Sequence, residues 1–353
     1  MIGFIGRRLL VAVPVVLLAT MVLFALVSAR GDPLRDLRHR PAVSQQTIRN
    51  LEREYHLDES RPQQYLGWLG DFVRGDWGSS FRTQQPVTEM VGKAAWNTFL
   101  LVGTALLLSV ALALLLGVVS AVRQYSTFDH LATGFSYFGF SMPDFFFALL
   151  LQLFVVFVLQ DELDVHLLYT QGKYSVGQEG DLVNLLQHMV LPVLTLMLTS
   201  VAAWSRYQRD SMLEVLTTDY VRTARAKGVP RRQIIRRHAL PNALVPFVTV
   251  VAIDAGVVLG GVVVVERVFQ WPGLGLLFYD ALANSDYPVL LAWMAVATIF
   301  VVVANLVADV VYGLLDPRIR VQGSRRAVRR SDRLASDLAD ARAAAATAQE
   351  GAR

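Results

Sequence analysis

Cysteine is absent from the 353-residue chain, and lysine occurs only at Lys93, Lys173 and Lys227. Without cysteine the chain forms no disulfide, no thiolate metal site and no thiol nucleophile. None of the lysines belongs to a Gly-x-x-x-x-Gly-Lys-Ser/Thr motif, the loop that binds nucleotide phosphates in many ATPases. The chain is therefore not its own ATPase by that route, and we predict that it is not an enzyme.

Histidine is present but scattered along the chain. The six histidines do not have the spacing of metal ligands. They are His39, His56, His130, His166, His188 and His238. We therefore predict that this chain has no metal site and no catalytic residues and binds no cofactor of its own.

Apolar residues make up 54% of the chain, and the mean hydropathy is +0.42. Six apolar runs are candidates for membrane spans, and several of them are long enough to cross a hydrocarbon core about 30 Å thick, at about 1.5 Å per residue. The runs are 9–29, 94–122, 131–160, 189–205, 239–265 and 287–308, and the third is interrupted by Pro143-Asp144. We predict an all-α integral membrane protein with six transmembrane helices. The net charge of +4 says little about partners, because in a membrane protein the positions of Lys and Arg matter more than their sum, and nucleic-acid binding is not expected.

These runs divide the chain into regions. Residues 1–29 are predicted to be a cytoplasmic N-terminus with an uncleaved first helix, residues 30–93 an extracytoplasmic insert, and residues 94–322 a core of five helices. Residues 323–353 are basic and rich in alanine, with five arginines from Arg325 to Arg333. We expect this tail to be flexible and to lie near anionic lipid.

The insert carries two amphipathic segments. Ser44 is predicted to cap a first helix, with Ile48, Leu51 and Tyr55 on one face. The apolar residues of the second segment are Tyr65, Leu66, Trp68, Leu69, Phe72 and Val73. The two segments predict a small cap on the membrane, with Trp68 and Trp77 in an interfacial aromatic belt rather than in contact with a ligand.

The connecting segments predict the orientation. Residues 206–238 hold nine Lys and Arg against three acids, whereas 161–188 hold one against five and 266–288 hold one against three. Because cytoplasmic loops carry the excess of Lys and Arg, both termini are predicted to be cytoplasmic. The insert holds ten Lys and Arg, but it is longer than the roughly 60 residues over which this rule is counted.

Residues 219–241, DYVRTARAKGVPRRQIIRRHALP, predict a charged helical hairpin between two apolar runs. Asp219 or Thr218 is suited to cap a first helix, and Gly228 to end it in a left-handed conformation. Pro230 is suited to the first turn of a second helix. The stretch is therefore expected to fold as a short hairpin.

The spacing from Arg222 through Gly228 to Leu240 and Pro241 resembles the EAA loop of bacterial ABC importer permeases. The Glu-Ala-Ala of that motif is here Arg222-Thr223-Ala224, and a position that is usually aliphatic is His238. The version in 219–228 is similar to that of dipeptide, oligopeptide and nickel permeases. A basic loop that only fixes topology is the alternative interpretation.

Several other stretches are similar to the same family. They are 62–69, 75–81, 269–275, 284–288 and 315–320, and the likeness covers about residues 1–322. The resemblance implies the type I ABC importer permease fold and the first of the two permease subunits. It also implies a location in the bacterial plasma (inner) membrane.

The resemblance further implies partners and a coupling site. The implied partners are a second homologous permease, one or two ATPases that bind ATP and Mg²⁺, an extracytoplasmic solute-binding protein and membrane lipid. The implied ATPase-coupling residues are Asp219, Tyr220, Arg222, Thr223, Ala224, Lys227, Gly228, Leu240 and Pro241. Peptides are the expected cargo, with nickel chelates and glutathione as alternatives.

Two other classes of protein are alternatives. An intramembrane serine protease would use Ser200 or Ser205 with His188, but hydroxyls in apolar helices more often bond to their own backbone. A stand-alone secondary transporter would need its own coupling-ion site and would often show an internal repeat. Copurification of an ATPase distinguishes the importer subunit from both.

Asp254 is the acid in the middle of the fifth apolar run. A carboxylate at that depth costs about 2.5 to 3.5 kcal/mol on insertion scales, so we expect it to face a polar cavity or a partner. Gly256 and Gly260 lie about 200° and 240° around the helix from it, which leaves them for close helix packing. Asp254 and Gly261 are therefore predicted to line the translocation path, and an ion pair with a partner subunit is the alternative.

Overall fold

A computed structural model describes residues 2–29, 31–39 and 43–315 of the chain. The described residues fold into helices, which confirms the predicted all-α fold. The helices are α1 (Ile2–Ser28), α2 (Arg35–Arg38), α3 (Gln45–Glu54), α4 (Arg61–Arg74), α5 (Val87–Val122), α6 (Thr127–Ser141), α7 (Asp144–Leu153), α8 (Leu182–Leu216), α9 (Asp219–Ala226), α10 (Arg231–Gln233), α11 (Leu240–Val268), α12 (Leu274–Ala283) and α13 (Tyr287–Leu315). The predicted tail, 323–353, and all but the first residue of the stretch 315–320 lie outside the described residues.

Five helical segments of the described part are long and apolar enough to cross a membrane. They are Arg8–Ser28, Val87–Val122, Asp144–Glu162, Leu182–Leu216 and Tyr287–Val307. The fifth predicted span corresponds to α11, which has 29 residues, but the side chains of 255–260 are not described. The prediction of six spans therefore stays a prediction.

The third apolar run is broken where the sequence predicts it. α6 ends at Ser141, and Pro143 occupies the N-cap position of α7. The break has a steric cause, because a proline disfavours helical backbone in the residue before it. α7 then continues into a π-helical segment, Phe154–Glu162.

Helix α8 is the centre of the bundle and contacts α5, α6, α7 and α11. It extends to Leu216, so the helix continues past the fourth apolar run into the segment predicted to connect two spans. Within α8, Arg209 donates a hydrogen bond from Nε to Asp129 Oδ1 on α6 at 2.7 Å, and this ion pair holds that part of the helix against α6. Where α8 crosses α5, a Cβ at Gly117 would lie 2.6 Å from the carbonyl oxygen of Ser205, so this close approach requires glycine.

The insert forms its own small core against α1. Ser44 caps α3 by accepting a hydrogen bond from the Thr47 amide at 3.1 Å, as predicted, and Ile48 is buried. Trp68 packs on Phe24 of α1 with ring centroids 5.8 Å apart. Trp77, whose ring stacks on Phe72 at 4.7 Å, donates to the carbonyl oxygen of the same residue. Both tryptophans therefore pack on residues of the chain, and their place in an aromatic belt stays a prediction.

Two residues of α4 that were expected on its apolar face are exposed. Leu66 and Val73 are 64% and 77% exposed. The packed stripe of α4 is carried by Tyr65, Trp68 and Phe72, at helical spacings of three and four residues. Leu66 and Val73 each lie about 100° away from a member of that stripe, which places them outside it.

A helix that was not predicted, α12, lies in the segment expected to be a loop. Its ten residues span only about 15 Å, too short to cross a membrane. It packs against α5, α11 and α13. The turn after it is fixed by Asp286, whose carboxylate accepts hydrogen bonds from the Ser80 hydroxyl at 2.5 Å and the Phe81 amide at 3.0 Å. Asp286 thus joins the insert to the start of α13.

Candidate functional site

The predicted hairpin forms at 219–238. α9 is followed by Gly228, whose φ of +75° is the left-handed conformation predicted for it. Thr218 occupies the N-cap position of α9, but its hydroxyl donates back to the Val215 carbonyl oxygen at 2.7 Å. Neither of the two proposed capping side chains therefore caps the helix. Asp219 is instead the first helical residue and lies 3.5 Å from Arg222.

A small apolar cluster holds the two arms of the hairpin together. Val221 and Ala224 of α9 and Ile234 of the second arm are buried against one another. Ala224, one of the predicted coupling residues, therefore belongs to the interior of the hairpin. Val229 packs beside the cluster and closes the turn.

The opposite face of α9 is exposed and polar. Tyr220 is 45% exposed, and Arg222, Thr223 and Lys227 are also exposed. This side of the hairpin presents cations, a hydroxyl and an aromatic ring to whatever adjoins it. It is the part of the predicted coupling site that is available for a contact.

The hairpin is continuous with the bundle. α10 continues through a π-helical segment, Ile234–Ala239, directly into α11, so the second arm is not a separate helix. Arg231 donates from Nη2 to the Val122 carbonyl oxygen at the end of α5, at 2.6 Å. Leu240 lies beside the buried cluster of Ala121 and Met212, and Pro241 is exposed in the first turn of α11. The second arm of the hairpin and α11 therefore form one continuous helical segment.

A cavity of about 300 Å³ lies farther along the bundle. We call it the Asp254 cavity. It is lined by Phe140, Asp144, Leu196, Thr199, Ser200, Ala203, Trp204, Asp254 and Gly261. These residues come from α6, α7, α8 and α11, so the cavity lies between the central helix and its neighbours. Both residues predicted for the translocation path, Asp254 and Gly261, lie on its wall.

The two carboxylates of the cavity are held by α8. Trp204 donates from Nε1 to Asp254 Oδ2 at 2.9 Å, and Thr199 donates to Asp144 Oδ1 at 2.5 Å. A Cβ at Gly261 would lie 3.6 Å from Asp144 Oδ2. In the described part of the chain neither carboxylate forms an ion pair with Lys, Arg or His.

Sequence reasoning missed Asp144 as a site residue. Pro143 and Asp144 were noted only as an interruption of the third apolar run. The signal was the same as for Asp254, because an acid inside an apolar run is costly unless it faces a cavity or a partner.

The predicted packing of Gly256 and Gly260 lies outside the described side chains.

The residues suggested for a serine protease are not brought together. Ser200 donates to the Leu196 carbonyl oxygen at 3.3 Å, as expected of a hydroxyl in an apolar helix. His188 lies on the same helix, at least 12 residues away from either serine, or about 18 Å. Its ring stacks on Tyr169, with centroids 4.3 Å apart. A base at that distance does not reach the hydroxyl of Ser200 or Ser205.

No metal site is found in the described residues, which contain no group of three or more His, Asp or Glu side chains arranged to hold an ion. The long apolar helices of the described part, with an exposed polar hairpin at one end of the bundle, are typical of a multi-pass membrane protein.

Comparison with known proteins specifies this class. A sequence profile described as "Binding-protein-dependent transport system inner membrane component" matches residues 113–321. The chain belongs to this family. The matched region contains α6 to α13, the hairpin and the Asp254 cavity.

Named relatives cover almost the whole chain. The oligopeptide transport system permease protein AppB of Bacillus subtilis (strain 168) is 37% identical over 321 residues, which are 90% of this chain and 99% of that protein. The dipeptide transport system permease protein DppB of Escherichia coli (strain K12) is 34% identical, over 91% of this chain and 99% of its own. The di/tripeptide transport system permease protein DppB of Pseudomonas aeruginosa (strain UCBPP-PA14) is 35% identical, over 91% and 100%.

Proposed function

We propose that this chain is the translocation subunit of an ATP-driven importer whose cargo is di- or oligopeptides. The support for the cargo is that the relatives named above are described as permeases for dipeptides, oligopeptides and di/tripeptides. None of these names refers to a nickel chelate or to glutathione, so those cargoes are not favoured. The chain supplies the path, and ATP with Mg²⁺ is bound by separate ATPase subunits.

The proposed complex contains a second homologous permease, one or two ATPases and an extracytoplasmic solute-binding protein. Both termini and the hairpin are placed in the cytoplasm of a bacterial cell, on the side of the plasma membrane where the ATPases lie. The insert and α12 then face the outside. The support for this orientation is the excess of nine Lys and Arg over three acids in 206–238.

The hairpin is the proposed docking element for an ATPase. The single observation that carries this proposal is its construction: an exposed polar face on α9, a buried apolar cluster between the arms, and a second arm that continues into α11. Such a hairpin is suited to pass the movement of a docked ATPase to α11, because its second arm continues into that helix. α11 also carries Asp254 and Gly261, so the movement reaches the cavity.

The Asp254 cavity is the proposed translocation path. Asp254 and Asp144 each have one oxygen bonded to α8, and both lie on the cavity wall. A carboxylate within a membrane attracts a cation, and the ammonium group at the end of a peptide is a cation of suitable size. An ion pair between Asp254 and the partner permease is the alternative use of the same charge.

Copurification tests the proposed function. The full-length chain, isolated from its native membrane in mild detergent, is expected to bring with it an ATPase in stoichiometric amount and a second permease. Binding of the loaded solute-binding protein is expected to raise ATP hydrolysis by that complex. A chain that purifies without any ATPase, yet takes up solute in vesicles, would instead be a secondary transporter.

Cysteine labelling tests the orientation directly, because the natural chain has no cysteine. Single cysteines at Ser60, Ser175 and Ser285 are expected to react with an impermeant reagent added outside. Cysteines at Thr217 and at Ser324, the latter outside the described residues, are expected to be protected. Labelling of Thr217 from outside would contradict the proposed topology.

A further inference from the structure

Glu266, in the last turn of α11, is fully buried, with 0% of its surface exposed. Its carboxylate accepts three hydrogen bonds. The Thr98 hydroxyl of α5 donates to Oε1 at 2.6 Å, and the amides of Gly275 and Leu276 donate to Oε2 at 2.6 and 3.2 Å. Both amides lie in the first turn of α12, where backbone N–H groups lack partners within their own helix. The carboxylate therefore caps α12 from a different helix.

Two glycines allow this approach. A Cβ at Gly273 would lie 2.1 Å from Glu266 Oε1, and a Cβ at Gly275 would lie 2.4 Å from the Cα of Val263. Any side chain at either position would displace the carboxylate or push the start of α12 away from α11. The loop and the helix are thus built around Glu266.

Further polar contacts surround Glu266. We call the set Asn97, Thr98, Lys173, Glu266 and Trp271 the Glu266 cluster. The Asn97 side chain donates to the Pro272 carbonyl oxygen at 2.8 Å and accepts from Lys173 Nζ at 2.7 Å. Trp271 donates from Nε1 to the Asn97 carbonyl oxygen at 3.1 Å, and the Thr98 hydroxyl accepts from the Leu274 amide at 2.7 Å. The hydrogen bonds of the Glu266 cluster therefore connect α5, α11, α12 and the segment before α8.

The choice of a carboxylate here needs a reason beyond packing. Within the described part of the chain Glu266 forms no ion pair, and burying an ionisable group without a cation is unfavourable compared with burying an apolar side chain of similar volume. The hydrogen bonds of the carboxylate instead fix the positions of two amides of α12 and one hydroxyl of α5 relative to α11. A second contact, Arg267 of α11 over the ring of Tyr279 at 4.2 Å, joins the same two helices.

Glu266 lies on the helix that lines the cavity but faces away from it. It follows Gly261 by five positions, or about 7.5 Å along α11. It also lies about 140° around the helix from Gly261. One side of α11 thus faces the Asp254 cavity, while the other holds α12.

We propose that Glu266 is a positioning residue that makes α11 and α12 move as one unit, so that a displacement of α12 reaches Asp254 and Gly261. This proposal rests on the proposed function, in which α12 faces the outside and the solute-binding protein acts on that face. The signal of a loaded binding protein then passes through α12 and Glu266 to the cavity wall. It continues along α11 to the hairpin.

Two near-isosteric variants test the proposal. Glu266→Gln replaces one carboxylate oxygen by an amide NH₂, which then faces groups that themselves donate hydrogen bonds. Thr98→Val removes one of the three donors to Glu266 without changing the volume of the side chain. Asp280→Asn is the matched control, because Asp280 is a partly exposed carboxylate on α12 that belongs to no part of the Glu266 cluster. Each variant is made in the full-length chain and purified with its partner subunits.

The first measurement is the distance distribution between spin labels at Val264→Cys on α11 and Leu282→Cys on α12, both partly exposed positions. The second is ATP hydrolysis with and without the loaded binding protein. We expect Glu266→Gln and Thr98→Val to broaden the distribution and to reduce the stimulation by the binding protein, about tenfold for Glu266→Gln. Unstimulated hydrolysis is expected to stay at the level of the natural complex.

The outcomes separate this inference from the proposed function. An unchanged distance distribution in both variants overturns the inference, and so does a broadened distribution with normal stimulation. If Glu266→Gln fails to assemble, Thr98→Val decides on the same two readouts. If the natural chain has no ATPase partner, the proposed function and this transmission route both fail, while the labels still report whether Glu266 joins α11 to α12.

Discussion

The Glu266 cluster and the hairpin lie at opposite ends of α11, and their polar side chains are used in opposite ways. At the Glu266 end Glu266 and Asn97 are buried, Lys173 is half-buried, and their hydrogen bonds connect four segments. At the hairpin end Arg222, Thr223 and Lys227 point outward, and the ion pair of Arg222 with Asp219 is exposed.

This difference shows which polar groups hold the chain together and which are left for another molecule. Buried hydrogen bonds to a charged group each stabilise a protein by about 1.5 to 3 kcal/mol, whereas an exposed ion pair contributes about 0 to 1 kcal/mol. Changes near Glu266 should therefore alter the chain itself. Changes on the hairpin face should alter its association and leave the fold intact.

The strongest test of the comparison is Asp286→Ala, at the α12 end. Asp286 is 4% exposed and accepts from the Ser80 hydroxyl and the Phe81 amide. The alanine leaves two buried donors without an acceptor, so we expect a loss of about 3 kcal/mol in the free energy of unfolding. Thermal unfolding in detergent measures this, with Asp280→Ala as the control. Equal unfolding of the two variants would contradict a holding role for Asp286.

An intermediate effect is expected at the Asp254 cavity, between the two ends. Asp254→Asn keeps an acceptor for Trp204 but removes the charge. We expect normal assembly and ATP hydrolysis, with uptake of free-amine peptides reduced about tenfold, corresponding to about 1.4 kcal/mol. Uptake of the same peptides in N-acetylated form serves as the control. If the variant takes up each form of the peptide as well as the natural protein does, Asp254 is not part of the path. Failure of the complex to assemble would lead to the same conclusion.

A smaller, pH-dependent effect is expected in the insert. Burial lowers the pKa of His56, but hydrogen bonds to Asp71 at 3.2 Å and Glu59 at 3.3 Å outweigh it and hold the pKa above the usual value. Protonated His56 therefore stabilises the folded insert. This stabilisation is fully present below the unfolded pKa near 6.5, and it is lost as the pH rises through the pKa of His56 in the folded protein.

Limited proteolysis of the insert at acidic and alkaline pH measures that dependence. The natural protein should be cleaved more slowly at acidic pH, and His56→Gln should lose most of the difference. A His56→Gln protein with the same pH dependence as the natural one would show that other groups cause it.

The smallest effect on stability is expected from Arg222→Gln on the hairpin. Arg222 lies 3.5 Å from Asp219, and both side chains are largely exposed. Thermal unfolding of the isolated chain should therefore be unchanged. A loss comparable to that of Asp286→Ala would mean that the two ends of α11 do not differ as described.

The sequence predicted features that depend on local chemistry. The break at Pro143, the cap of α3 by Ser44 and the left-handed Gly228 follow from the backbone preferences of single residues. The apolar runs predicted the long helices, because burial in a membrane needs continuous apolar length. The resemblance of the hairpin to the EAA loop predicted the family, which the comparisons confirm.

Features that depend on distant partners were not predicted. The extension of α8 beyond Arg206 depends on Asp129, which is 80 positions from Arg209. The sequence predicts no helix at α12, because its start is capped by Glu266 of another helix rather than by its own residue. Asp144 and Asp254 line the same cavity because α7 and α11 pack on α8. No local pattern contains such pairings.

The central claim is that the hairpin docks an ATPase, and a pair of glycine variants tests it most directly. Gly228 and Gly177 have nearly the same left-handed backbone, with φ of +75° and +80°, and a Cβ would meet nothing within 4 Å at either position. Valine therefore imposes the same strain at both, but only Gly228 lies in the hairpin. We predict that Gly228→Val inserts into the membrane and copurifies with about tenfold less ATPase, while Gly177→Val retains the natural amount. Equal amounts of ATPase with the two variants would contradict the account.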